Sequence, residues 1–153
     1  MRKRELEKFL LKARAKTYVA AKGKLKPALP GSVQYEYKDG DYSYRDVYYL
    51  GNSIFPGLET VFFKAEAVWS MSYFGDFSSL TEQQTDTFLR RALLEFWKDT
   101  RIYNRVEKDY GSFRYICEGA GTIDKLSGEE MLYVGAKKVC SFSYKGGYVG
   151  EEN

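Results

Sequence analysis

The chain has 153 residues, 44% of them hydrophobic, the size and composition of one soluble globular domain with a core of its own. Its 24 Lys/Arg and 21 Asp/Glu leave a net charge of +3, and it contains no histidine, so the commonest general base and the commonest transition-metal ligand are both missing. Ser-His-Asp and Cys-His mechanisms are excluded, and any acid–base chemistry has to run on Asp, Glu, Lys, Tyr or Cys.

The first 26 residues hold ten Lys/Arg against Glu5 and Glu7, a balance of +8, so the rest of the chain sums to −5. Such an arm can meet nucleic acid or an anionic membrane, although a lysine-rich stripe is more often the solvated face of a helix. Leu6, Phe9, Leu10, Ala13 and Thr17 recur at helical spacing, which predicts an amphipathic helix over 3–18 with Lys and Arg in its other positions. Lysine interrupts the apolar residues too often for a signal peptide, and no run reaches the roughly 18 to 20 apolar residues of a membrane span. The expectation is a cytoplasmic protein without a membrane partner.

Pro27, Pro30 and Gly31 mark a loop. Beyond it VQYEYK (33–38), a DG turn at 39–40 and DYSYRDVYYL (41–50) predict two aromatic-rich strands in a tight hairpin. Strands at 57–64 and 67–75 then fold about Ala65-Glu66. Ser79 and Glu82 read as the capping box of a second helix, in which Thr85, Phe88, Leu89, Ala92, Leu93 and Phe96 share one face up to about Asp99. A polar segment, 100–110, leads to strand FRYICEG (113–119), a Gly-rich connection and a last hairpin of strands 129–134 and 138–145. Cys117 and Cys140 are too few for a disulfide framework and lack zinc-ligand spacing, so both are read as apolar strand fillers. No metal and no cofactor is expected.

Residues 40–75 slide onto 111–146 without a gap and give ten identities in 36 positions, among them Tyr44/Tyr115, Gly57/Gly128, Glu59/Glu130 and Tyr73/Tyr144. Chance on this composition gives about three, which points to an internal duplication within one domain spanning 1–153. With turns at Ala65-Glu66 and its counterpart, Glu59 opposes Ser72 and Glu130 opposes Ser143 on a surface shared with Val, Leu or Phe. A carboxylate in such company has to be bonded, paired or shifted in pKa. The two glutamates are therefore either loop anchors or, meeting about a pseudo-twofold, the walls of a site.

Tyr42, Tyr44, Asp46 and Tyr48 share one face of a strand, and Arg45 stands on the other, placed to meet a carboxylate on a neighbouring strand. An acid within a tyrosine ladder suits a cation or a polar planar ligand, while tyrosines also serve ordinary sheet packing. RNA stacking on the aromatic strands is disfavoured by Glu36, Asp39, Asp41, Asp46 and Glu59 among them.

The segments PGS (30–32), GDYSYRDVYYLG (40–51), FPGLE (55–59) and VWSMSYFG (68–75) together resemble a small bacterial and archaeal family of unknown function. The resemblance runs from about Glu5 to Gly147 and is strongest between Tyr18 and Gly75. In some members the domain follows a helix-turn-helix segment, and nothing of that kind precedes the resemblance in this sequence. It implies a free-standing copy of a module that regulators can carry; the family brings no established activity and so transfers no catalytic residues.

The expected fold is α+β: a curved antiparallel sheet of seven to eight strands, built from two similar helix-plus-strands units and packed around two main helices. The expected function is a non-catalytic binding or sensor-like module for a small polar or cationic ligand. Glu59, Asp46, Tyr44, Tyr48 and Trp69 would hold the ligand, with Glu130 as a second acid. The alternatives are a hydrolase using Glu59, Glu130 or Asp46 as a carboxylate pair, and a scaffold for a protein partner or a regulator. Homodimerisation and a nucleic-acid contact through the basic arm stay open.

Overall fold

The computed structural model of the chain describes residues 3–151. In chain order it forms α1 (Lys3–Lys16), β1 (Lys24–Leu25), β2 (Val33–Asp39), β3 (Tyr42–Tyr48), β4 (Ile54–Phe63) and β5 (Glu66–Asp76). Then come α2 (Glu82–Glu95), β6 (Arg105–Asp109), β7 (Arg114–Thr122), β8 (Lys125–Val134) and β9 (Lys137–Tyr148). All pairings are antiparallel and make one open sheet of nine strands in the order β1-β2-β3-β4-β5-β9-β8-β7-β6. The α+β class expected from the sequence holds, with nine strands in place of seven to eight.

The two added strands are the sheet edges. β1 has two residues, and β6, RVEKD, buries only Val106 among charged neighbours. Charge on an edge strand is a common guard against further pairing, and it makes the segment read as a loop. The Gly-rich connection also belongs to the sheet: β7 runs on to Thr122 and β8 begins at Lys125, with Gly119 paired to Gly128. Helix α2 starts two residues later than the Ser79/Glu82 box would place it. Thr81 is its N-cap, its hydroxyl accepting from Gln84 N while Gln84 Oε1 accepts from Thr81 N.

The hairpin turns are also displaced by one residue. Lys64 and Ala65 both take positive φ, 49° and 69°, so they are the turn residues in place of Ala65-Glu66. Glu59 therefore opposes Met71, and Leu58 opposes Ser72; in the last hairpin Glu130 opposes Phe142, and Glu129 opposes Ser143. A slip of one residue moves every side chain to the other face. The expected Glu59–Ser72 and Glu130–Ser143 pairings are thus overturned, and both glutamates face the core beside Val61, Trp69 and Leu132.

Strands seventy-one residues apart are paired alike. Tyr44 meets Val61 and Tyr115 meets Leu132; Asp46 meets Glu59 and Cys117 meets Glu130; Tyr35 meets Asp46 and Val106 meets Cys117. The bulge between Val61 and Phe62 returns between Leu132 and Tyr133. At the seam between β5 and β9, Tyr73 pairs with Tyr144, itself its counterpart at that spacing.

Both helices cover the same face. Leu6, Phe9, Leu10 and Ala13 of α1 join Leu89, Ala92 and Leu93 of α2 and the inner residues of the sheet in one core. Phe9 stacks on Tyr42 at 4.9 Å and Phe88 on Phe113 at 4.4 Å. Large rings lie over glycines of the neighbouring strand: Tyr73 over Gly57, Phe55 over Gly75 and Tyr144 over Gly128. A Cβ on Gly57 would stand 2.3 Å from the Tyr73 hydroxyl. Gly57→Ala is accordingly expected to lower stability by about 1–3 kcal/mol, the usual range for overpacking, in urea unfolding monitored by tyrosine and tryptophan fluorescence.

Candidate functional site

The pleat sends Tyr42, Tyr44, Asp46 and Tyr48 of β3 inward, and β4 answers with Gly57, Glu59 and Val61, so Asp46 and Glu59 are direct cross-strand neighbours. Two adjacent carboxylates under a pair of helices call for cations, and the chain places one on Glu59. Arg14 of α1 reaches Glu59 with Nη2 at 2.6 Å and Nε at 3.0 and 3.2 Å, and Tyr44 donates to the same carboxylate at 2.8 Å. Arg14 also donates to the Arg101 carbonyl at 2.9 Å, tying α1 to the segment after α2.

Glu130 has the matching arrangement on the other side of the seam. Arg101 donates to it from Nη2 at 2.8 Å and from Nε to both oxygens at 3.2 Å, and Tyr115 completes the carboxylate. The Arg101 guanidinium lies 4.1 Å from the Phe142 ring centroid. Burial works to lower the pKa of both arginines, but the facing glutamates outweigh it and the net shift is upward. Burial, followed by the same glutamates, pushes the Tyr44 and Tyr115 phenols well above their usual value. All four oxygens of Glu59 and Glu130 are therefore engaged. A carboxylate so held is a poor nucleophile or base, which counts against the carboxylate-pair hydrolase.

Asp46 differs. It is 6% exposed, and among the described residues only Tyr73 hydrogen-bonds to it, donating to Oδ1 at 2.5 Å. Burial first, and the charge of Glu59 second, raise its carboxyl from the ordinary aspartate value to about 7. Asp46 stands at the border of two spaces. One is a recess of about 20 Å³ lined by Arg14, Tyr44, Glu59 and Trp97, about the room of a single water. The other is a cavity of about 500 Å³ between the sheet and α2, a size within the range of small-molecule sites.

The cavity is walled by rings from five places in the chain: Tyr18 after α1, Tyr35 of β2, Tyr48 of β3, Phe55 of β4 and Tyr73 of β5, with Phe77 and Phe142 beyond. Tyr35 and Tyr48 lie nearly parallel, 6.4 Å apart. On the α2 side Asp86 is taken by Arg90 at 2.8 Å and by the Tyr18 hydroxyl at 3.0 Å, so that pair is balanced. Lys24, Leu50, Glu82 and Gln83 are exposed at the mouth.

Of the residues singled out in the sequence, Asp46 and Tyr48 line the cavity, and Glu59 and Tyr44 line the recess beside it. Trp69 is buried, its indole N–H donating to the Ile123 carbonyl at 3.0 Å, with Arg14 at 5.8 Å from the ring. Glu130 lies beyond the seam in its own clamp with Arg101. Sequence reasoning missed both arginines, Tyr73, and the rings Phe55, Phe77 and Phe142. Arg14 carried a signal, because it falls four residues after Leu10 on the apolar stripe and reads as a cation that has to be buried. Arg101 sits in a polar segment with φ of 57° and had none.

Part of the basic arm turns back on the protein: Lys3 reaches Asp124, Lys12 reaches Asp39, and Arg14 is in the core. Arg2 lies outside the described residues. Arg45 meets Glu36 on the neighbouring strand, as its face predicted. Among the described residues no cluster of three or more Cys, Asp or Glu side chains is arranged to hold a metal, and no helix is long and apolar enough to cross a membrane.

The family model for DUF5680, a domain of unknown function, matches residues 46–149. The chain belongs to the DUF5680 family. This agrees with the resemblance to a family of unknown function seen in the sequence, over a span that begins at Asp46. The DUF5680 match contains Asp46, Glu59, Tyr73, Arg101 and Glu130, whereas α1 with Arg14 and the rings Tyr18 and Tyr35 precede it. No curated protein and no solved structure matches the chain.

Two outcomes follow from the clamps and from Asp46. Removing one partner of a buried ion pair strands the other charge, so Arg14→Met or Glu130→Gln is expected to cost about 3–5 kcal/mol in urea unfolding. For Asp46 the folded-state pKa is raised, so its contribution is full below the unfolded value and is lost as pH rises towards about 7. Between pH 4 and 7 the unfolded chain releases this proton first, and stability falls by up to about 1.4 kcal/mol per pH unit. In Asp46→Asn this component of the pH profile is expected to vanish, and its urea midpoint at pH 8 to lie above that of the wild type.

Proposed function

We propose that this DUF5680 domain is a non-catalytic module that binds a small polar or cationic ligand in the cavity between the sheet and α2. The observation that carries this reading is Asp46: a deeply buried carboxylate with one hydrogen bond, at the base of an aromatic-walled space of ligand size. A buried acid costs stability unless it is matched, so a fold that keeps one unmatched beside a cavity favours a ligand group as its partner.

The comparison of β2–β5 with β6–β9 supports the same reading. We take these as two copies of one unit, on the strength of the ten identities and the shared registers. In the second copy Cys117 stands where Asp46 does, and Gly119 stands where Tyr48 does. There the chain fills the space itself. The Ile102 carbonyl accepts from Tyr144 at 2.8 Å, and a Cβ on Gly119 would collide with that carbonyl at 1.9 Å. In the first copy the space beside Asp46 and Tyr48 remains a cavity. One copy closed by its own backbone and one left open is the pattern expected of a single binding site. A cytoplasmic setting belongs to this reading, since both cysteines are free and buried.

The test is a fragment screen by thermal shift and ligand-observed NMR on the wild type and on Val33→Trp, which places a large ring in the cavity wall. Fragments that protect the wild type and lose their effect in a folded Val33→Trp variant are the expected result. Hits unaffected by that substitution, or an absence of hits, would count against the site.

A further inference from the structure

The charges buried around the cavity do not balance. Asp46 is faced by Tyr44 and Tyr48 on its own strand, Glu59 on β4, Tyr73 on β5, Arg14 from α1 and Arg101 from the segment after α2. Both guanidinium groups are committed, Arg14 to Glu59 and Arg101 to Glu130. Across the cavity Arg90 is committed to Asp86, and at the mouth Lys24 of β1 and Glu82 of α2 are exposed and opposite in charge, so they leave the buried balance unchanged. With Asp46 ionised, the cluster holds three carboxylates against two guanidiniums and is short by one positive charge.

Resting on the cavity reading above, we infer that the ligand is a primary or secondary ammonium ion carried on a flat or compact apolar body, with its N–H bound to the free oxygen of Asp46. Three observations select this class. The missing charge is a single cation. Asp46 Oδ1 already accepts from Tyr73, so one oxygen is left, which suits a single N–H donor better than the paired donors of a guanidinium. The walls are rings, with Tyr35, Tyr48 and Tyr73 nearest the acid along the sheet, and these give a cation favourable faces and an apolar body a place to pack. In the absence of such a ligand the carboxyl keeps its proton up to about pH 7, which neutralises the same deficit. Binding of the ammonium then displaces that proton.

The experiment is isothermal titration of matched pairs that differ only in charge: phenethylamine and 2-phenylethanol, benzylamine and benzyl alcohol, cyclohexylmethylamine and cyclohexylmethanol. Each is run at pH 6 and pH 8 on the wild type and on Asp46→Asn. The amines are protonated at both pH values and are expected to bind at least tenfold more tightly than the alcohols at pH 8. Their affinity should fall about tenfold at pH 6, as the Asp46 proton competes. In Asp46→Asn both the preference and the pH dependence should disappear. Alcohols that bind as well as the amines, or amine binding unchanged in Asp46→Asn, overturn the ammonium assignment and leave the cavity reading standing. The same holds if neither series binds while fragments sensitive to Val33→Trp still do. If those fragments are absent as well, the reading on which the assignment rests falls with it.

Discussion

Two guanidinium groups are held inside this protein, and the positions of the other elements follow from what they need. Taking a charge out of water costs several kcal/mol unless a counter-charge and hydrogen bonds replace the solvent. Arg14 meets that requirement with Glu59, to which the Tyr44 hydroxyl also donates, and Arg101 meets it with Glu130, to which the Tyr115 hydroxyl also donates. To do so α1 has to lie across β3 and β4, and the segment after α2 has to cross β7 and β8. The bond from Arg14 to the Arg101 carbonyl then joins the two clamps to each other. A purely apolar core would leave the tilt of the helices on the sheet loosely specified; a buried donor set at fixed positions does not.

The clamps also explain why the cavity lies where it does. They fix the sheet and helices on either side of the β5–β9 seam, and the space under the helices is filled differently on its two sides. Beyond the seam Ile102 closes it, with its carbonyl against Gly119 and under the Tyr144 hydroxyl. On the near side Tyr73 instead turns its hydroxyl to Asp46, and the rings of Tyr35, Tyr48 and Phe55 stand around an open volume. On the proposed reading, a duplicated unit has kept its structural acid in both copies and has turned the position across from it on β3, Asp46, to recognition in one of them.

Much of this architecture could be read from the sequence, and the limits of that reading have physical causes. The helices were legible because Leu6, Leu10 and Ala13, and Leu89, Ala92 and Leu93, recur with helical period. The inner face of β3 was legible because one strand alternates without interruption. The faces of β4 and β8 were not, because one bulge per hairpin and a turn at Lys64-Ala65 shift the register by a residue, and alternation alone cannot locate either. Glu59 and Glu130 stood out as acids among apolar neighbours. Their partners did not, since Arg14 lies forty-five residues from Glu59 and Arg101 twenty-nine from Glu130, and a long-range ion pair leaves no local pattern. The strands β1 and β6 were hidden by their shortness and charge.

Recognition at this cavity turns on the state of one carboxyl group. In the protein without ligand, Asp46 should hold its proton to about pH 7, because burial first and the charge of Glu59 second disfavour its ionised form by more than Tyr73, Arg101 and Arg14 favour it. Carbon-13 NMR of the side-chain carboxyl, titrated from pH 4 to pH 8.5 and assigned by its loss in Asp46→Asn, measures this directly. A resonance that titrates near pH 7 is the predicted result. A carboxyl already ionised at pH 4 would mean that Arg14, Arg101 or a bound water matches its charge, and the cluster would not be one cation short.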